Sequence, residues 1–373
     1  MVQSTQSPFY QKLSLTLVSI TILCVGLFYA KGIILPILFA VLLAMLVLPV
    51  VNFLARKKFP KPLSIIIPLI LAIVVSAAVI YFLSSQVVNF LDDAPKLRER
   101  VMEVSASFQR WITNSAHISV GKQNQYFKDT VENIKEVAPK MIGATFLSIT
   151  GILTYIVLLP IYTFLILYYR ITIKTFFIRV FKNGDEGKVH EVLSESGTIA
   201  QQYITGLLIE TTIVFTLNCI GFLILGIKYA IFLALLAALL NLIPYVGMLV
   251  ANIMCMVVTL VSSDNISDVL WVGIILAAVQ FIDNNFGMPM IVGNKVRINA
   301  LVTIVGVLIG GALCGIPGMF LAIPGLAVLK VIFDKVPELE AWGLLLGDET
   351  ESSAKKPRFV LPKLKNKSKT VKA

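Results

Sequence analysis

Charge is scarce in this sequence. Only 14% of its 373 residues are Asp, Glu, Lys or Arg, against 57% hydrophobic, whereas a soluble domain carries about 25% charged residues. A soluble fold has nowhere to place such a surplus of apolar side chains; a bilayer has. Histidine is scarcer still, with only His117 and His190. Two separated histidines, with no HExxH and no GxSxG, leave a Ser-His-Asp hydrolase or a His-ligated metalloenzyme too little to work with. No Walker loop or dinucleotide fingerprint is present either, which argues against an ATP-driven pump on this chain. The chain therefore reads as no enzyme, with no cofactor and no metal. The four cysteines, Cys24, Cys219, Cys255 and Cys314, each fall in an apolar run and none forms a CxxC pair. A disulfide framework or zinc site is thus not expected, and these are small packing residues.

Long apolar runs are abundant. A run of roughly 18 or more residues is enough to cross about 30 Å of hydrocarbon, and the sequence predicts about eight spans: residues 13–30, 33–54, 62–82, 144–169, 204–225, 230–261, 269–281 and 300–333. The fold class expected is an all-α polytopic transmembrane helix bundle. Only Lys12 closely precedes the first run, and the second follows after Lys31-Gly32, read as a turn. The first run is therefore an uncleaved span rather than a signal peptide. Arg56-Lys57-Lys58 with Lys61, and Arg170, Lys174, Arg179 and Lys182, mark cytoplasmic ends. With an even number of spans both termini lie inside, in a cytoplasmic (inner) membrane.

Four regions follow. Residues 1–83 are N-terminal transmembrane helices. Residues 84–143 form an extracytoplasmic amphipathic insert: residues 91–140 carry eight basic and seven acidic side chains, with Val101, Val104, Phe108 and Trp111 at helical spacing. Residues 144–335 form the C-terminal transport region, including a cytoplasmic amphipathic helix near 185–203. Residues 336–373 are a basic tail, with eight Lys/Arg and no acid in 354–373. Beside a membrane such a tail lies near anionic lipid or only marks topology, and it is not read as binding nucleic acid.

The spans are unequal. Residues 230–261 are longer than one perpendicular helix needs and are interrupted by Asn241, Pro244 and Gly247. Residues 300–333 carry Gly306, Gly310, Gly311, Gly315, Gly318 and Gly325 with Pro317 and Pro324. Proline removes a backbone donor and breaks or kinks a helix, and backbone freed in a membrane must be buried in protein or line a wet cavity. Both stretches are read as broken helices or re-entrant hairpins, the form that builds transport sites. The Gly306/Gly310 and Gly311/Gly315 spacings allow close helix approach. Two acids stand near the hydrocarbon. Glu210, inside the fifth span, is either a proton- or cation-binding group or a neutral partner of another helix. Asp283, beside Asn284 and Asn285, either faces a cavity or ends a helix at the interface. Lys295 and Arg297 either pair with it or mark that interface. Asn218, Asn241, Tyr245 and Gln280 suit a hydroxylated solute, a cation, or interhelical hydrogen bonds.

Asn241-Leu-Ile-Pro-Tyr-Val-Gly, Gln280-Phe-Ile-Asp-Asn-Asn with Pro289-Met-Ile-Val-Gly, and the closing run Gly310-Gly-Ala-Leu-Cys-Gly-Ile-Pro-Gly-Met-Phe-Leu-Ala-Ile-Pro-Gly together resemble the autoinducer-2 exporter family over nearly the whole membrane part. The resemblance does not extend to the basic tail. It implies an oligomeric multispan transporter, with Pro244, Tyr245, Gly247, Asp283, Asn284, Pro289 and Gly293 as motif positions. Met288 stands before Pro289 where many relatives carry a basic residue, so no anion-binding role is carried over from that position. The resemblance implies export of a small solute such as autoinducer-2, or sodium (lithium)/proton antiport. The expected partners are that solute or a monovalent cation, the lipid bilayer, and further copies of the chain. A non-transporting membrane scaffold or regulator, holding partners through the extramembrane helices and tail, is the reading from another class.

Overall fold

The computed structural model describes residues 9–92, 149–180, 186–263, 265–287 and 298–347. These contain helices and no strand: α1 Phe9–Arg56, α2 Lys61–Asp92, α3 Ile149–Tyr168, α4 Arg170–Val180, α5 Glu186–Ile224, α6 Ala230–Leu240, α7 Val246–Ser262, α8 Ile266–Ile282, a π-helical turn Asp283–Gly287, α9 Ala300–Lys335 and α10 Glu340–Leu346. Most of the expected amphipathic insert, and the basic tail from residue 348, lie outside the described residues. The all-α reading stands.

Many large apolar side chains face outward, among them Ile22, Leu71, Ile156, Ile224 and Ile253. Helices with apolar residues on their outer faces as well as their inner ones belong in lipid. By length and composition five helices qualify as membrane spans, or six when the pair α3 and α4, bent by 68°, is taken as one; α9 is among the five by length, although it folds back on itself at Gly315. The chain is thus a multi-pass membrane protein, but its spans are divided differently from the expected eight.

The turn expected at Lys31-Gly32 is absent. Residues 9–56 form one helix of 48 residues, about 72 Å long at 1.5 Å per residue. Neither residue removes a backbone donor, and a glycine inside a helix costs only about 1 kcal/mol. Lys31 folds back over the Phe28 ring, 4.2 Å from its centroid, so its charge requires no break. No described side chain of α1 is buried before Leu35. The even span count on which the sidedness argument rested therefore loses its premise.

From Leu35 onward α1 joins a core. Ala44, Val47 and Val51 pack with Ile65 of α2 and Leu167 of α3. Thr163 satisfies its hydroxyl on Leu159 O at 2.7 Å and lies 3.5 Å from Ala40 O of α1. Arg170 Nη1 donates to Asn52 Oδ1 at 2.9 Å, which ties the start of α4 to the end of α1. The expected cytoplasmic helix near 185–203 is the first half of α5 and runs unbroken into the fifth span.

The two long, interrupted stretches are both hairpins. The first is α6 and α7. Helix α6 lies antiparallel to α5, with Phe222 beside Ala230 and Val214 beside Ala238. The chain turns at residues 241–245, and Cys255 Sγ of α7 donates to Leu233 O of α6 at 3.6 Å. The second is α9 itself. Gly315 has φ 66° and ψ −152°, a conformation open to glycine and costly for other residues. The two halves fold back on each other: a Cβ on Gly306 would lie 2.5 Å from Leu326 Cδ1, and one on Gly310 would lie 2.5 Å from the Gly318 carbonyl oxygen. In a straight helix Gly306 and Leu326 would be about 30 Å apart. The expected break near Pro317 and Pro324 is thus sharper and earlier. Pro317 opens the second half, where its missing N–H has no helical partner to lose, and Pro324 sits buried within that half. The expected GxxxG surfaces are spent inside the hairpin.

Candidate functional site

Glu210 lies on α5, 14 residues before its end at Ile224, or about 21 Å along the axis. It is buried. Asp283, also buried, heads the π-turn that ends α8. The two carboxyls are in hydrogen-bonding contact, and the Asn241 side chain donates to Asp283. Glu210 Oε2 receives no hydrogen bond from any described donor. The π-turn brings Gly287 over Asp283, where a Cβ would lie 2.6 Å from Oδ1. An extra residue per turn and a glycine together let this carboxyl fold inward, and π-turns concentrate at functional positions.

The corner of the first hairpin is set at this pair. Pro244 supplies no backbone donor, and Tyr245 is held at φ 63°, a left-handed conformation that costs a bulky residue of order 1 kcal/mol or more. Tyr245 is 55% exposed. Gly247 is buried with its Cα against the Leu240 carbonyl, where no Cβ fits. Pro244, Tyr245 and Gly247 thus shape the turn that carries Asn241 to Asp283.

The second hairpin arrives from the opposite end of α5. Lys335 Nζ bonds Glu191 Oε1 at 2.6 Å and Glu195 Oε2 at 3.3 Å near the start of α5. Further along, Phe320, Leu321 and Ile323 pack with Tyr203, Ile204 and Leu207, and Phe320 stacks on Phe39 of α1 at 5.7 Å. Gly315 lies five residues beyond Phe320, so its corner comes about level with Glu210 on the α5 axis. The two hairpins therefore approach α5 from opposite ends: the first turns beside the carboxyl pair, and the corner of the second comes about level with it along the α5 axis.

Other expected residues fall elsewhere. Asn284 is exposed and accepts from Gln280 Nε2 at 3.0 Å rather than joining Asp283. Pro289, Gly293, Lys295 and Arg297 lie outside the described residues. Among the described residues, no three His, Cys, Asp or Glu side chains converge as metal ligands do. Sequence reasoning named Gly315 as one of six glycines and as half of a GxxxG pair but not as the corner, and did not single out Phe320 or Lys335. The signals for them were a glycine two residues before Pro317, and acids four apart at Glu191 and Glu195.

A family model for AI-2E family transporters matches residues 17–338. The chain belongs to the AI-2E transporter family. Both hairpins and the carboxyl pair fall within the matched stretch. Among AI-2E relatives, YueF of Bacillus subtilis, named as a transport protein without a stated substrate, is 27% identical over 314 residues, covering 82% of this chain and 84% of its own. YhhT of Escherichia coli K12, similarly named, is 22% identical over 338 residues, covering 89% and 93%. PerM of the same organism, named as a permease, is 23% identical over 319 residues, covering 84% and 90%. These names support a membrane transporter or permease.

Proposed function

We propose that this AI-2E transporter moves a small polar solute, such as autoinducer-2, out of the cell by secondary or facilitated transport, with the path between the two hairpin corners at Glu210 and Asp283. One observation carries the reading: two hairpins approach α5 from opposite ends and turn about level with each other along it, the first beside a buried carboxyl pair. Broken helices place backbone and side-chain hydrogen-bonding groups deep in the membrane, where a solute can exchange its hydration for protein contacts. Each corner can then act as a gate for its own side. The basic residues of the Arg56–Lys61 and Arg170–Arg179 regions gather with the start of α5 at one end, through the Arg170–Asn52 bond and the short link from α4 to α5. That end faces the cytoplasm under the positive-inside rule.

The carboxyl pair favours a second reading, sodium (lithium)/proton antiport. Two carboxyls in contact can hold a proton between them or, once deprotonated, a monovalent cation, and binding the two in turn is exchange. Proteoliposomes separate the readings. Autoinducer-2 efflux above that of protein-free vesicles, unaffected by a sodium or pH gradient, supports the first. Collapse of a pH gradient on adding sodium or lithium, absent in Glu210→Gln, supports the second. Vesicles that show neither would contradict both.

A further inference from the structure

Helix α4 leaves the line of α3 by 68°, with Tyr169 at the elbow. The elbow is a built corner. Tyr169 N donates to Leu165 O at 2.8 Å, and Ile173 N donates to Tyr169 O at 2.9 Å, so backbone bonds run through it. Two contacts hold it from other helices. Lys61 Nζ of α2 sits 4.5 Å from the centre of the Tyr168 ring, and Arg170 bonds Asn52 of α1. The end of α1 and the start of α2 thus lie at the elbow. A membrane span tilts about 20° from the bilayer normal on average. A helix bent by 68° from such a span runs closer to the membrane plane than to its normal.

The composition of α4 suits that position. Residues 170–180 hold Arg170, Lys174 and Arg179 and no acid. At about 100° per residue, Ile173, Phe176, Phe177 and Val180 fall within one arc of about 100°. All four are exposed, Phe176 by 59% and Val180 by 56%. Ile178, the one half-buried side chain of residues 171–180, lies roughly opposite, and α4 packs on α3 and α5. Arg179 edges the apolar arc on one side, and Arg170 and Lys174 edge it on the other. A helix that lies in a membrane interface has this pattern. Its apolar face sinks to the acyl boundary, and basic stems on its flanks reach back to the headgroups. The sign of the charge selects the occupant. An anionic leaflet offers apolar depth and negative phosphate together, and it is already adjacent where α3 ends.

We propose that α4 is a membrane-surface helix that binds anionic phospholipid, with its Ile173, Phe176, Phe177 and Val180 face at the acyl boundary and Arg170, Lys174 and Arg179 on lipid phosphates. This surface is distinct from the basic tail and does not depend on the transport reading. It also gives the leaflet a hold on the fold. Helix α4 is tied to α1 through Arg170 and joined by residues 181–185 to α5, the helix that carries Glu210.

The test places the full chain in nanodiscs of phosphatidylcholine, with or without phosphatidylglycerol, and follows amide hydrogen exchange over residues 170–180 at low salt. The proposal expects phosphatidylglycerol to slow this exchange, by roughly fivefold for each basic side chain engaged, and high salt to remove most of the slowing. Lys174→Gln with Arg179→Gln spares the Arg170–Asn52 bond and should lose most of the slowing. Exchange over residues 156–168 of α3 should stay unchanged in that variant, which shows that the span remains folded. Phe176→Ser with Phe177→Ser should speed exchange over residues 170–180 in both lipids. Lys363→Gln, Lys365→Gln and Lys367→Gln together, in the tail, should leave α4 unchanged. Equal exchange in the two lipids for the unsubstituted protein overturns the proposal. So does slowing that survives the Lys174 and Arg179 substitutions, that disappears with the tail substitutions, or that inorganic phosphate reproduces in phosphatidylcholine alone. Exchange unmoved by the two serine substitutions takes the apolar face out of the lipid and overturns it as well.

Discussion

Glu210 and Asp283 hold their carboxyls in contact inside the helix bundle, one from the middle of a long helix and one from a π-turn at the end of another. Neither position is useful alone. A carboxyl in the middle of a span is a costly polar group, and one at a helix end is an ordinary terminus. Joined, and served by the corner of a hairpin, they make one buried polar centre.

The hairpin form of α9 has a distance consequence. Leu301 and Leu329 are both exposed and suit paired spin labels. The fold-back should bring the labels within about 20 Å, whereas a straight helix would separate 28 residues by about 42 Å. Electron-electron dipolar spectroscopy reads this directly.

Within that hairpin, Gly318 lies against the Gly310 carbonyl and Cys314 with no room for a Cβ. Gly318→Val should push the two halves apart and destabilise the protein by about 1–3 kcal/mol, the usual range for overpacking. Gly325, with nothing within 4 Å of its Cβ position, should accept alanine with little change. Thermal unfolding of the two variants side by side checks the contrast.

Tyr245 carries a positive φ at the first corner. Tyr245→Gly should relieve that strain and leave stability unchanged or slightly raised, while Tyr245→Val should lower it by about 1 kcal/mol or more, because a β-branched side chain tolerates this conformation least. A transport rate that falls in Tyr245→Gly while stability does not would assign the ring a role in the path.

Lys335 bridges Glu191 and Glu195 across 31–56% exposed side chains. Exposed ion pairs are weak and screened by salt, so Lys335→Ala should change overall stability little. Lys335→Glu places three acids together, and should speed hydrogen exchange over residues 187–199 at low salt but not at high salt.

Much of this architecture was legible in the sequence, for identifiable reasons. Apolar runs report burial in lipid however the helices pack, so the all-α membrane class followed from composition. Pro244 and Gly247 marked the first hairpin because they remove a donor and a side chain, effects that need no partner. The second hairpin was visible as a region, but its corner was not: six glycines competed, and only the fold shows that Gly306, Gly310, Gly311 and Gly318 make the close approaches between the two arms while Gly315 takes the positive φ. Lys31-Gly32 misled in the opposite sense. A basic residue and a glycine look like a turn, yet neither forces one, and the lysine found an aromatic ring one turn back. Glu210 and Asp283 were each singled out, but their contact was hidden, since nothing local to either residue encodes which helix faces which.

The central claim is that Glu210 and Asp283 work as one unit in transport. Groups that act together are non-additive when removed. Autoinducer-2 efflux from proteoliposomes should be measured for Glu210→Gln, Asp283→Asn and the double variant, each checked for folded protein in the membrane. The account predicts that either single substitution lowers the flux to the same low level as the double. Flux in the double variant equal to that of the unsubstituted protein, or reduced by the product of two independent single effects, would contradict it.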